Sequence, residues 1–256
     1  MSKYFKLFII ILVLIILMLG ILGKISSPSP DPHQILLSPS WSHPLGTDDL
    51  GRDIFKMIIA GLYKTFAQAI SVFFSTGLIG LVLATLSAFE YQKFTDMLIA
   101  YMAEIIRAFP GILLILLFLT FGGGITLALI SMYWLPFWRD FRVLLYEFFR
   151  SPVMESSLSI GHNFLSAART HGIKSISKMA FGFSISIFSD ILGAIIALDF
   201  LQLGHSSSVS IGYILYLSLQ DKYVAIYGAI PVVLLLLGIY WAIFLTYKEV
   251  GAKSEK

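Results

Sequence analysis

The 256-residue chain contains no cysteine, and only 13% of its residues are charged. The first absence excludes disulfides, thiol nucleophiles and cysteine metal sites. The second excludes an ordinary soluble domain, in which about a quarter of the residues carry charge. The sequence has no G-x-x-x-x-G-K-[ST] phosphate loop, no H-E-x-x-H and no G-x-S-x-G, so it offers no ATP cradle, zinc-protease helix or nucleophile elbow. Its five histidines have no metal-ligand spacing, and no cofactor bound by the chain itself is expected. Lys and Arg outnumber Asp and Glu by 18 to 15, but no soluble domain gathers them into a phosphate-binding groove. No nucleic-acid partner is expected.

What is present is apolar: 57% of the residues, with 21 Phe and 12 Tyr. Apolar stretches at this density mean an all-α polytopic membrane protein, because only segments that satisfy their own backbone hydrogen bonds survive in hydrocarbon. The run at 7–22, preceded by Lys3 and Lys6 and followed by no small-x-small cleavage site, reads as a retained first span within 1–25. Residues 26–65 form an extracytoplasmic segment whose Pro28, Pro30, Pro32, Pro39 and Pro44 exclude a continuous helix. A five-helix core follows over 66–247, with spans at about 66–89, 97–120, 125–138, 178–203 and 224–247, and a tail at 248–256. Six spans put both termini on one side. Most Lys and Arg then fall on the cytoplasmic side, as the positive-inside bias requires. Pro110-Gly111 is expected to kink the third span. The fourth is apolar for only about fourteen residues before Arg139, short of the ~20 needed to cross; either its helix continues beyond the bilayer or it is shortened at Pro136.

Four polar features stand out. Glu104 and Arg107 lie at i and i+3 of one helix face, the spacing of an ion pair. Asp190 sits near the middle of the fifth span, a stretch rich in Ser, Gly and Ala, and Asp199 near its outer end; an intramembrane carboxylate defaults to a functional hypothesis. For Asp190, lining a pathway and hydrogen bonding to a partner subunit both remain open. Residues 43–55 read HPLGTDDLGRDIF. His43, Asp48, Asp49 and Asp53 there look like metal ligands, but a structural reading is preferred: Gly46 and Gly51 make turns, Thr47 or Asp48 caps a short helix, and Arg52 pairs with a carboxylate. Finally, a loop at about 139–177 carries most of the central charge. Within it Gly161 suits a helix-ending turn of positive φ, and Ser156 and Ser157 permit close backbone approach.

The stretch from Glu155 to Gly161 resembles the E-A-A-x-x-x-G motif of ABC importer permeases, and 43–55 resembles the H-P-x-G-T-D-x-x-G-R-D signature of the C-type permeases of dipeptide, oligopeptide and nickel importers. A rival register at 166–172 matches the alanines better. The first is preferred because it also sets Arg139 and Arg142 on W-x-x-Y-x-R-x-V-R and residues 198–204 on L-S-F-L-G-L-G without gaps. Ser156 and Ser157 stand in for the alanines, and residues 210–212 lack the family's tryptophan.

The resemblance implies a type I ABC importer permease fold with six transmembrane helices, in the cytoplasmic membrane with both termini inside. It implies one half of a translocation pathway for peptides, nickel or metal chelates. Its partners would be a second permease, two ATPase subunits that use ATP, an extracytoplasmic binding protein and the lipid bilayer. Glu155, Ser156, Ser157, Gly161, Arg139 and Arg142 would form the ATPase-coupling loop. A transport subunit of this kind is not itself an enzyme. The alternative is an ion-coupled secondary transporter using Glu104, Asp190 and Asp199.

Overall fold

A computed structural model describes residues 28–89, 93–161, 163, 166, 173–203 and 209–252. Among the described residues the regular structure is helical, with a single isolated β-bridge between Thr47 and Asp53. The expected first span at 7–22 lies outside them. The chain divides into two compact units, Met1–Ile70 with Ser189–Thr246 and Ser71–Phe188 with Tyr247–Lys256. The long helices run from one unit into the other.

The prolines of the segment before residue 54 keep it out of helix, and backbone pairing takes over. Leu36 donates to the Asp48 carbonyl at 3.1 Å, Thr47 to that of Leu37 at 3.1 Å, and Ile54 to that of Gly46 at 3.1 Å. Helix α1 then spans Ile54–Phe89, 36 residues, or about 54 Å at 1.5 Å per residue. That exceeds the ~30 Å hydrocarbon core. Much of its apolar surface, including Phe74, Leu78 and Val82, is exposed, as a helix wrapped by lipid requires.

The first unit holds the start of α1, the C-terminal part of α6 (Ile173–Phe200), a short helix α7 (Ile211–Leu217), a π-helical turn (Val224–Ala229) and most of α8 (Ile230–Ala252). Glycines let α7 lie close. A Cβ on Gly61 of α1 would come 3.0 Å from the Ser210 carbonyl carbon, and one on Gly212 would meet the Ile196 oxygen, Asp199 Cβ and the Phe200 nitrogen. Ser210 caps α7 by accepting from the Tyr213 N–H, while the Ile211 N–H donates to Thr65 Oγ1 at 3.2 Å.

In the second unit, α2 (Phe94–Ala108) and α3 (Gly111–Thr120) meet at a 90° bend. Pro110 has no N–H to continue the ladder, and Phe109 before it is extended (φ −88°, ψ 135°), the backbone a following proline favours. The kink expected at Pro110 is thus a full break. The fourth expected span is helix α4, Gly124–Phe149, which runs through Pro136 without stopping. Of the two outcomes left open by its short apolar run, the structure has the continuing helix. Trp134, Leu135 and Trp138 of α4 are buried against Ala84 of α1 and Ile99 and Ala103 of α2. Gly80 brings the α1 backbone onto the Trp134 carbonyl. Phe73 meets Phe137 and Phe188 edge-on at 5.3 and 5.5 Å.

Among the described residues, Ile54–Phe89, Met179–Phe200 and Val224–Leu245 are long and apolar enough to cross a membrane, and α2–α3 makes a fourth if the bent pair is one span.

Candidate functional site

The central motif sits on its own short helix, α5, Pro152–Ser159. Ser151 Oγ accepts from the Met154 N–H, Pro152 occupies the first turn, where its missing N–H costs nothing, and Glu155 places negative charge at the positive end of the helix. The helix ends at Gly161, which takes φ +94° and donates its N–H to the Leu158 carbonyl at 3.0 Å. A side chain there would meet no atom, so φ alone calls for glycine. The faces of α5 differ. Met154 and Ser157, three residues apart, are buried, and Met154 packs on Phe148 and Phe149 of α4 and Ile176 of α6. Glu155, Ser156, Leu158 and Ile160 point away and are exposed, Ile160 to 80%. An elbow held by one buried methionine thus presents a mixed apolar and acidic face. Of the rival register at 166–172, all but Ser166 lies outside the described residues.

Arg139 and Arg142 are not on this elbow but in α4. Arg139 pairs with its neighbour Asp140 at 2.7 Å, half exposed. Arg142 grips the buried Asp96 of α2 through Nε and Nη2, at 2.6 and 2.5 Å.

The outer signature folds around its carboxylates. Asp48, fully buried, accepts from the N–H groups of Leu50 (3.1 Å) and Arg52 (2.7 Å) and from Arg52 Nε (2.7 Å). Arg52 Nη2 lies equally near, at 2.7 Å, but off the hydrogen-bond direction. The guanidinium sits 5.8 Å from the Tyr213 ring centroid. Burial disfavours its charge, but Tyr213 and Asp48 together outweigh that and leave its pKa above the ordinary value. Asp53 caps α1, accepting from the Lys56 N–H at 3.0 Å, and its other oxygen lies 2.9 Å from His43 Nδ1. The cap is therefore Asp53, not Thr47 or Asp48, and the helix it opens is the longest described rather than a short one. Thr47 instead bridges Gln34 and Leu37 through its hydroxyl. Gly46 and Gly51 turn the chain at φ +74° and +73°. Asp49 is exposed and its N–H donates to Asp221 at 3.2 Å. Among the described residues no three His, Asp or Glu gather as metal ligands.

Comparison with known proteins accords with both motifs. The chain is 32% identical over 171 residues to the glutathione transport system permease protein GsiD of Pectobacterium atrosepticum, covering 65% of this chain and 56% of that protein. It is 30% identical over the same shares to GsiD of Shigella dysenteriae. It is 38% identical over 86 residues to the dipeptide transport system permease protein DppC of Alkalihalophilus pseudofirmus, covering 33% and 27%. It is a homologue of the ABC importer permeases of the peptide/nickel family. No protein-family model matches the chain, and it spans a little over half the length of the GsiD relatives it matches.

The remaining sequence candidates fall elsewhere in the chain. Glu104 and Arg107 are both exposed on α2, and they do not form the ion pair their spacing suggested. Asp190 is exposed on α6; next to it the Ser189 carbonyl accepts from Tyr240 of α8 at 3.3 Å. Asp199 is buried beside Gly212, its Oδ2 without a hydrogen-bond partner among the described residues, and Lys64 of α1 lies within electrostatic reach. Sequence reasoning missed Asp96 altogether. Its one local signal is an acid in the first turn of a helix, which a dipole argument explains without a partner.

Proposed function

We propose that this chain is one permease half of an ABC importer of small peptides, driven by separate cytoplasmic ATPases through α5. The observation that carries the reading is the construction of α5: Met154 anchors it inward while Glu155, Ser156, Leu158 and Ile160 face away, and Gly161 ends it in the left-handed turn. A face of mixed apolar and acidic character on a rigid elbow fits a protein groove better than lipid. The partners are two ATPase subunits, a second permease and an extracytoplasmic binding protein, and the six-span fold has both termini in the cytoplasm. ATP-driven closure of the ATPases draws the two elbows together and tilts the helices, a two-state change biased by nucleotide.

The relatives' names speak of glutathione and dipeptides, which supports a peptide cargo; nickel and metal chelates, which the resemblance also implies, are the next to test. The comparisons lend no support to an ion-coupled carrier using Glu104, Asp190 and Asp199. Proteoliposomes holding the chain with its ATPases, second permease and binding protein are expected to accumulate labelled glutathione or dipeptide only when ATP is supplied. Uptake by the lone chain under a sodium or proton gradient would overturn the reading.

A further inference from the structure

One buried charge pair belongs to neither motif as an assembled feature. Asp96, in the first turn of α2, is 2% exposed and takes two hydrogen bonds from Arg142 of α4, at 2.6 and 2.5 Å. The Arg142 guanidinium lies 5.4 Å from the Trp138 ring centroid, one turn back on the same helix. The Trp138 Nε1–H donates to Ser87 Oγ of α1 at 2.9 Å, and Ser87 is completely buried. Carboxylate, guanidinium, indole and hydroxyl thus form a polar chain across α2, α4 and α1. A two-pronged guanidinium–carboxylate contact fixes orientation as well as distance. Buried pairs of this kind are weak evidence for added stability, and registry is their best-attested use.

The position of the chain gives registry a purpose. Arg142 lies about two turns before the C-terminal end of α4. There Phe148 and Phe149 hold the buried Met154 of α5, and Phe149 stacks on Phe89 of α1 at 4.8 Å. Between three and four turns beyond Asp96, α2 reaches the break at Pro110. A displacement entering at α5 therefore reaches α4 through apolar packing; it reaches α2 through the packing of Trp134, Leu135 and Trp138 on Ile99 and Ala103, which can slip, and through the Asp96–Arg142 grip, which fixes the register.

We infer that Asp96 is a positioning residue for energy coupling: its grip on Arg142 makes α2 move with α4 and α5 as one body, carrying the stroke delivered at α5 to the α2–α3 bend. This rests on the proposed role of α5. Without the grip, α4 slides past α2 and ATP is spent without transport.

The test uses the full transporter with its ATPases and binding protein, and exploits the absence of cysteine. Spin labels on S159C of α5 and M102C of α2 report the distance between those helices with and without ATP and vanadate. With Asp96 intact, one narrow distance is expected in both states. In D96N the distance should change between states by about a helical turn, on the order of 5 Å. R142K keeps the charge but loses the fork, and S87A removes only the hydroxyl that accepts from the Trp138 indole; they should give intermediate shifts if D96N folds poorly. In parallel, labelled glutathione taken up per ATP hydrolysed should fall roughly tenfold in D96N, within the range typical of coupling residues, with ATP hydrolysis within about twofold of the parent. A D96N transporter with an unchanged distance and unchanged uptake per ATP would overturn the inference and leave the proposed function standing. Failure of the unsubstituted chain to stimulate or retain any ATPase would remove both.

Discussion

Gly212 shows how much a single position can decide in a helical membrane protein. Its missing Cβ is what lets α7 rest on the backbone of α6, since a methyl group would sit 2.7 Å from Asp199 Cβ and from the Phe200 nitrogen and closer still to the Ile196 oxygen. Two of those atoms are main chain and cannot rotate away. Gly212→Ala is therefore expected to destabilise the first unit by about 1–3 kcal/mol, the usual cost of overpacking, and to lower the thermal midpoint of the purified protein. Unchanged melting would mean that α7 does not lie on α6 as described. The position was visible in the sequence only as the glycine left when the family's tryptophan is absent; the neighbour that requires it is on another helix. Asp96 was hidden for the same reason. Its partner is 46 residues away, and local patterns carry no information about such pairs.

At the level of elements, punctuation was readable and pairing was not. Pro110 gave the break between α2 and α3, and Gly161 the end of α5, because each acts through its own backbone. The start of α1 was misassigned among nearby capping residues. Thr47, Asp48 and Asp53 all have the chemistry of a cap, but Thr47 and Asp48 are drawn into the loop by Gln34, Leu37 and Arg52, which leaves Asp53 at the helix. Glu104 and Arg107 were expected to pair because of their spacing, and they do not; an i,i+3 contact is worth only a few tenths of a kcal/mol and does not hold two solvated ends together. For α5, whose ends are both defined by short-range bonds, Ser151→Ala should cost about 1 kcal/mol of helix stability, and Gly161→Ala a similar ~1–2 kcal/mol from the left-handed backbone alone. Faster amide hydrogen exchange over residues 152–159 in both variants, with exchange in α4 unchanged, is the expected result. Equal protection in parent and variants would show that α5 is held from outside, not by its own caps.

For the molecule as a whole, the apolar composition and two spaced motifs were enough to find the homologous permeases. The short apolar run before Arg139 marked α4 as an unusual span, but not that its helix would run on to Phe149, because the aromatic face that carries it onward is buried against residues of α1 and α2 distant in sequence. The central claim is that the outward face of α5 is where separate ATPases attach. Glu155 and Ile160 are exposed, and glutamine at 155 removes the charge without setting a cation at the helix N-terminus, so E155Q with I160E should leave the fold intact. Quantified co-purification of the ATPase subunits with the tagged chain tests the claim most directly. The expected result is ATPase bound to the parent and reduced by roughly tenfold in the double variant, the effect of losing a docking hot spot, with an unaltered elution profile for the tagged chain. Equal ATPase recovery from both proteins, or none from the parent, would contradict it.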